Sequence, residues 1–205
     1  MTTKSTSHII EGAALAHAIP NVTLPQLIRE RARQHPADIA LVDAASGRSS
    51  TYGEVDRLIG RCAAGLAAQG FKPGDVLVIF APNSIDWPIA ALGAMAAGGV
   101  VSGANPMYLA SDLAHQMRNS GARFALTIAP LLATVKDAAA QAGCHKIMVF
   151  DEAEGCVSFS ALLACDDAEP AVPHNPDALA ALPCSSGTTG QIGRASCRER
   201  VCLAV

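Results

Sequence analysis

Ser185, Ser186, Gly187, Thr188, Thr189 and Gly190 stand in a row near the end of a 205-residue chain. Four of them carry hydroxyls, which can donate to phosphate oxygens. The two glycines let backbone N–H groups approach an anion closely and tolerate positive φ. A short apolar run, "ALAALP", comes just before, so the loop would leave the end of a buried strand. Such a place suits a polyphosphate. It is not a Walker A loop, because G-x-x-x-x-G-K-[ST] is absent, and it is not a G-x-S-x-G nucleophile elbow. On the six residues alone, an ordinary Ser/Gly-rich turn is an equal reading.

The other chemically capable side chains point less clearly. His115 falls in an amphipathic helix, His145 in a turn and His174 in a loop, and no partner spacing makes any of them half of an acid–base pair. Met107 and Tyr108 follow an apolar run and read as packing at a strand end. The seven cysteines are scattered and include no CxxC pair. A disulfide framework is therefore not expected, and a reduced, cytoplasmic setting fits better. Cys197 and Cys202 lack a second ligand pair, so no zinc site is assigned.

The elements that must position the loop follow from periodicity. "LPQLIRERARQH" puts Leu24, Leu27 and Ile28 on one helical face. "IALVDAASGRSSTY" reads as a hairpin turning at Gly47. Thr51 and Glu54 have capping-box spacing and open a helix that Gly70 ends. After a "KPGD" turn come "VLVIFA", "GVVSGAN", "FALTIA" and "KIMVFD", each a strand followed or preceded by a helix. Ser84 is placed to cap the helix "IDWPIAALGAMAAG", with Pro88 early enough to be tolerated. Short unalternating apolar strands between helices predict an α/β fold, a mostly parallel sheet with helices on both faces. Asp151–Asp177 holds seven acidic residues and no Lys or Arg, and reads as a solvated connector with one short helix near "FSALLA".

Half of the residues are hydrophobic and 16% are charged, which allows a sizeable core. Arg194, Arg198 and Arg200 against Glu199 give the last fifteen residues +2, leaving −5 on the rest of a chain whose net charge is −3. That balance argues against a nucleic-acid partner. No charge occurs between Asp86 and Asp112, but the stretch is dominated by Ala and Gly with Pro88 and Pro106 near its ends. A membrane span is not expected there.

Three stretches together resemble the adenylate-forming (AMP-binding) superfamily, within it the 4-coumarate–CoA ligase-like acyl-CoA synthetases. They are "SSGTTG", "GFKPGDVLVIFAPNSIDWPIAALGAMAAGGVVSGANPMYLASDLAHQMRNSGARFALT" and "IALVDAASGRSSTYGEVDRLIGRCAAGLAAQG". The resemblance covers about residues 10 to 190. It makes residues 24–190 a partial adenylation domain, with 1–23 read as a leader segment before it and 191–205 as a non-native tail after it. It also implies a two-step reaction using ATP with Mg²⁺, a carboxylic acid and CoA, with the six loop residues holding the β- and γ-phosphates.

The family continues past the loop with a leucine-proline-lysine-glycine run, but here Gly193 stands where the lysine is expected. "QIGRASCRERV" resembles a translated sequencing adapter instead. The acyl pocket, the nucleoside contacts and the C-terminal lid would lie beyond this chain. The expectation is therefore an incomplete ligase that turns nothing over by itself. The rival readings are a non-catalytic phosphate-binding module, which needs ATP affinity in the 205 residues, and an interaction protein built on the sheet.

Overall fold

The five residues of Val76–Phe80 are all buried, which makes this strand the centre of a sheet covered on both faces. The computed structural model describes residues 20–173, 175–184 and the backbone of 197–198. Its first helix, α1 (Leu24–Gln34), opens on a capping box: Thr23 Oγ1 accepts from the Gln26 amide at 3.4 Å, and Gln26 Oε1 accepts from the Thr23 amide at 3.0 Å. β1 (Ile39–Val42) and β2 (Ser49–Thr51) form the expected antiparallel pair. The chain reverses through Gly47, whose φ of 71° is in the left-handed region. Asp43 holds the same turn by accepting from the Ala45 and Ser46 amides, which keeps its carboxyl below the ordinary value.

α2 (Tyr52–Ala68) begins with the expected Thr51–Glu54 box, with reciprocal bonds of 3.3 and 2.9 Å. From there strands and helices alternate: β3 (Val76–Phe80), α3 (Asp86–Ala96), β4 (Val100–Ala104), α4 (Ala110–Ser120), β5 (Phe124–Thr127), α5 (Leu132–Ala142) and β6 (Lys146–Val149). β7 (Val157–Ser158), α6 (Phe159–Leu163), β8 (Leu179–Ala181) and β9 (Cys197–Arg198) complete the described strands and α-helices. The sheet order is β7-β6-β5-β3-β4-β8-β9, parallel throughout except for the last pair.

Alternation within the strands sorts the core into two halves. Leu77, Ile79, Val101, Leu126 and Met148 face α2, α3 and α6. Val76, Val78, Phe80 and Ala125 face α4 and α5. Leu77 and Ile79 are fully buried, and side chains of this size contribute about 1.5–3 kcal/mol each on burial. α2 and α3 approach so closely that a Cβ on Gly93 would stand 2.5 Å from Cys62 Sγ.

Two expectations need correction. Ser84 does accept from the Trp87 amide at 3.3 Å, as a cap would, but the regular helix starts two residues later, at Asp86. Asp151–Asp177 is also more than a solvated connector. β7 extends the sheet beside β6, and Phe159 and Leu162 enter the core. Glu169 bonds to Arg29 Nη2 at 2.8 Å, while Arg29 Nε reaches Asp56 at 3.1 Å. The acidic run therefore finds its cation on α1, far away in sequence. No helix among the described residues is long and apolar enough to cross a membrane.

Candidate functional site

In a parallel sheet every strand presents its carboxyl end at the same edge. From β3 the chain passes through α3 to β4, its neighbour on one side. From β4 it passes through α4 to β5, on the other side of β3. The connections that leave β3 and β4 thus lie on opposite faces, and the crevice outside their carboxyl ends is a topological switch point, where open α/β sheets bind ligands. β8 lies beside β4 and parallel to it, so its carboxyl end joins the same edge. The chain leaves that end through Leu182, Pro183 and Cys184 toward Ser185–Gly190. The six loop residues, the Gly193 position and the cysteine pair's side chains lie outside the described residues.

The root of the loop is tightly held. Leu182 is 2% exposed. Its N–H donates to the Val101 carbonyl at 2.8 Å, and its carbonyl accepts from Ser102 Oγ at 2.8 Å. The Ser102 hydroxyl in turn accepts from Gln116 Nε2 at 2.9 Å, and the same Nε2 donates to the Gly103 carbonyl at 3.0 Å. A carbonyl needs a donor opposite it, so the Gly103 contact settles which end of the amide faces β4. Thr127 repeats the device two strands away, donating from Oγ1 to the Phe80 carbonyl at 2.8 Å. Hydroxyls on the α4–α5 face thus tie down backbone carbonyls near the carboxyl edge.

Gly103 keeps the crevice open against α3, since a Cβ there would come within 3.2 Å of the Trp87 ring. Asn105 closes the β4 exit by accepting the Met107 amide at 3.0 Å. Tyr108 packs against the α4–α5 core as expected, but Met107 does not: it is 83% exposed. His115 is exposed, and its Nε2 is bonded to the Asn119 side-chain amide at 2.8 Å rather than to an acid or a nucleophile. His145 is exposed in its turn, and His174 lies outside the described residues. Burial pushes the Cys62 thiol up to about 12 and raises that of Cys144, so neither is a ready nucleophile. Among the described residues no three His, Cys, Asp or Glu side chains gather where they could hold a metal.

Sequence reasoning passed over Ser102 and Gln116. The signal was present: Leu113, Gln116, Met117 and Ser120 form one helical stripe, and a glutamine inside an apolar stripe needs partners.

The model of the family described as AMP-binding enzyme matches residues 28–192. The chain belongs to this family. Among curated AMP-binding relatives, a protein named 4-coumarate–CoA ligase-like 1 from Arabidopsis thaliana is 38% identical over 174 residues, covering 82% of this chain and 31% of its own length. 4-coumarate–CoA ligase 1 from Petroselinum crispum is 36% identical over 151 residues, covering 73% and 28%. The chain thus spans about a third of the length of the curated relatives it matches. Among solved structures, apo MbtA of Mycobacterium smegmatis superposes with a TM-score of 0.82 at 27% identity, over 88% of this chain and 34% of that one. The inhibitor-bound N-terminal domain of FACL13 from Mycobacterium tuberculosis gives 0.77 at 26%, over 87% and 44%. The mostly parallel, two-faced sheet of the adenylate-forming N-terminal domain is the fold found here.

Proposed function

We propose that this chain is a segment of an ATP-dependent carboxylate–CoA ligase, with residues 24–190 as the part of its adenylation domain that binds the leaving phosphates. The observation that carries the reading is the place of β8: it lies parallel to β4 beside the switch point, and the sequence that follows its carboxyl end is Ser185–Gly190, in a chain of the AMP-binding family.

A carboxylate oxygen attacks the α-phosphorus of ATP, the bond to the bridging oxygen breaks, and pyrophosphate leaves with its electron pair. The thiolate of CoA then attacks the acyl carbon and expels AMP. Ser185, Ser186, Thr188 and Thr189 donate hydroxyl hydrogens, and Gly187 and Gly190 offer backbone N–H groups, to the β- and γ-phosphates. These bonds position the leaving group and spread its charge. Mg²⁺ enters with ATP as part of the substrate. The scattered cysteines fit a cytoplasmic location, and the acidic body fits the absence of a nucleic-acid partner.

Hydrogen bonds to charged acceptors contribute about 1.5–3 kcal/mol each at best, and neutral ones less. A loop without nucleoside contacts or a lid should hold ATP no better than about millimolar, or roughly −4 kcal/mol. Residues 191–205, where the adapter-like run begins, supply no such contacts in this reading. The test compares the 205-residue chain with the protein obtained by reading the source gene beyond codon 190. The longer protein is expected to form thioester with ATP, Mg²⁺ and CoA, and the shorter chain to release no pyrophosphate. In the longer protein, Thr188→Ala with Thr189→Ala should slow adenylation at least tenfold at unchanged thermal stability. Full activity in that double variant removes the loop from the mechanism. Micromolar ATP affinity in the 205-residue chain would favour a binding module instead.

A further inference from the structure

Arg33, Arg57 and Arg61 are exposed, and their guanidinium groups make no ion pair, hydrogen bond or ring contact among the described residues. Every other arginine with a described side chain has a partner. Arg29 pairs with Asp56 and Glu169, Arg48 with Asp86 and Arg123 with Asp75. Arg118 donates to the Gln141 carbonyl, and Arg31 lies over the Tyr52 ring. The three unpaired arginines are not scattered. All of them line one open cavity of about 360 Å³, where α1 and α2 meet the segment that carries Asp167 and Glu169. Gly60 lines it too and adds no side chain to fill it.

The carboxylates of the cavity leave these arginines unanswered. Asp56 and Glu169 are both turned to Arg29, at 3.1 and 2.8 Å. Asp167 makes no ion pair among the described residues. The spacing is unfavourable by itself, because Arg29 and Arg33 on α1, and Arg57 and Arg61 on α2, are like charges four residues apart on a helix and repel. Arg29 is relieved by its two carboxylates, and the other three have no such relief. A general excess of cations does not account for the patch, since the chain has a net charge of −3.

We infer that Arg33, Arg57 and Arg61 bind the phosphate of a phosphate monoester. A single guanidinium fork satisfies a carboxylate. Three forks carried on two helices suit a tetrahedral group with three terminal oxygens, each able to accept more than one N–H. A phosphate monoester also brings a charge of about −1.5 to −2 near neutral pH, which offsets three guanidiniums that face only Asp167. The cavity leaves room beside the phosphate for part of the group that it esterifies. Trp87, Gly103 and Asn105, which shape the crevice at the carboxyl edge, do not line this cavity. The inference therefore does not rest on the ligase reading.

Titration calorimetry of the 205-residue chain with glycerol 3-phosphate tests it. Binding should be saturable and at least tenfold tighter than that of acetate at the same ionic strength. Arg57→Gln with Arg61→Gln should weaken it at least tenfold. Arg57→Lys with Arg61→Lys, which keeps the charge and loses the forks, should weaken it at least threefold. Arg33 stands in the last turn of α1, where a cation also favours the helix dipole, so the stability control uses the α2 pair. Without phosphate, the double glutamine variant should melt at the temperature of the unmodified chain or above it, because it loses a repelling pair.

Flotation with phosphatidylcholine vesicles, with and without phosphatidic acid, separates the two sources of such a group. Recovery on phosphatidic acid vesicles that the double glutamine variant loses assigns a lipid headgroup. Binding of glycerol 3-phosphate without recovery on vesicles assigns a soluble ligand. No saturable binding of either probe, equal affinity for acetate, or unchanged affinity in the double glutamine variant overturns the inference. A phosphate-free melting temperature that falls in that variant overturns it as well, since the arginines would then serve the fold. A longer protein that forms no thioester would end the ligase reading and leave these results as they stand.

Discussion

Cys62 sits on α2 at 1% exposure, facing Gly93 across the contact with α3. Burial disfavours the thiolate and pushes the thiol from its ordinary 9.0 to about 12. The unfolded chain loses this proton at about pH 9, whereas the folded chain keeps it. The stabilisation is therefore intact below pH 9 and is lost as pH rises from 9 toward 12. The slope in that window is up to about 1.4 kcal/mol per pH unit. Cys144, raised in the same direction, adds to it. Urea midpoints should fall between pH 8 and pH 10, and Cys62→Ala, though less stable at pH 8, should show a smaller fall. Equal falls in the two proteins would mean that other groups govern the alkaline limb. At this scale the sequence conveys little, because a cysteine's exposure depends on which helix lies opposite. Ser102 and Gln116 were only half legible for the same reason. Their polarity within apolar runs is visible, but their partners lie on another strand.

α2 offers a sharper contrast between two of its own glycines. A Cβ on Gly65 would run into the backbone of Leu162 on α6, which cannot swing aside. On Gly60 it would meet Glu169 Oε2 at 3.2 Å and Arg29 Nη2 at 3.7 Å, the far ends of two flexible side chains. Gly65→Ala should therefore destabilise by about 1–3 kcal/mol through overpacking. Gly60→Ala should be neutral or stabilising, since alanine gains up to about 1 kcal/mol over glycine inside a helix. Thermal melts of the two variants decide this, and equal midpoints would mean that α6 does not press on α2. The order of elements from α1 to β6 could be read ahead of the structure, because capping boxes, Gly turns and apolar runs are local signals. β7 could not, since a strand of two residues has no period and forms only because β6 offers it an edge. The docking of the acidic segment depended on Arg29, more than a hundred residues upstream.

For the molecule as a whole, the carboxyl edge is where the fold is least finished. Met107 and Leu109, between β4 and α4, are 83% and 71% exposed, while Met117 and Met148 are sealed in the core. Large apolar side chains beside a ligand crevice mark a surface that something covers. The chain matches only about a third of its curated relatives' length, and the cover we propose is the remainder of the ligase. Methionine oxidation by dilute peroxide follows access to the sulfur, so it reads this edge directly. In the 205-residue chain Met107 should oxidise at the rate of a free methionine, and Met117 and Met148 only as the chain unfolds. In the longer protein Met107 should slow at least tenfold while the two core methionines stay protected. Were Met107 to oxidise equally fast in both, the added chain would not pack on the carboxyl edge, and the crevice outside β3 and β4 would be open to solvent in the complete protein as well.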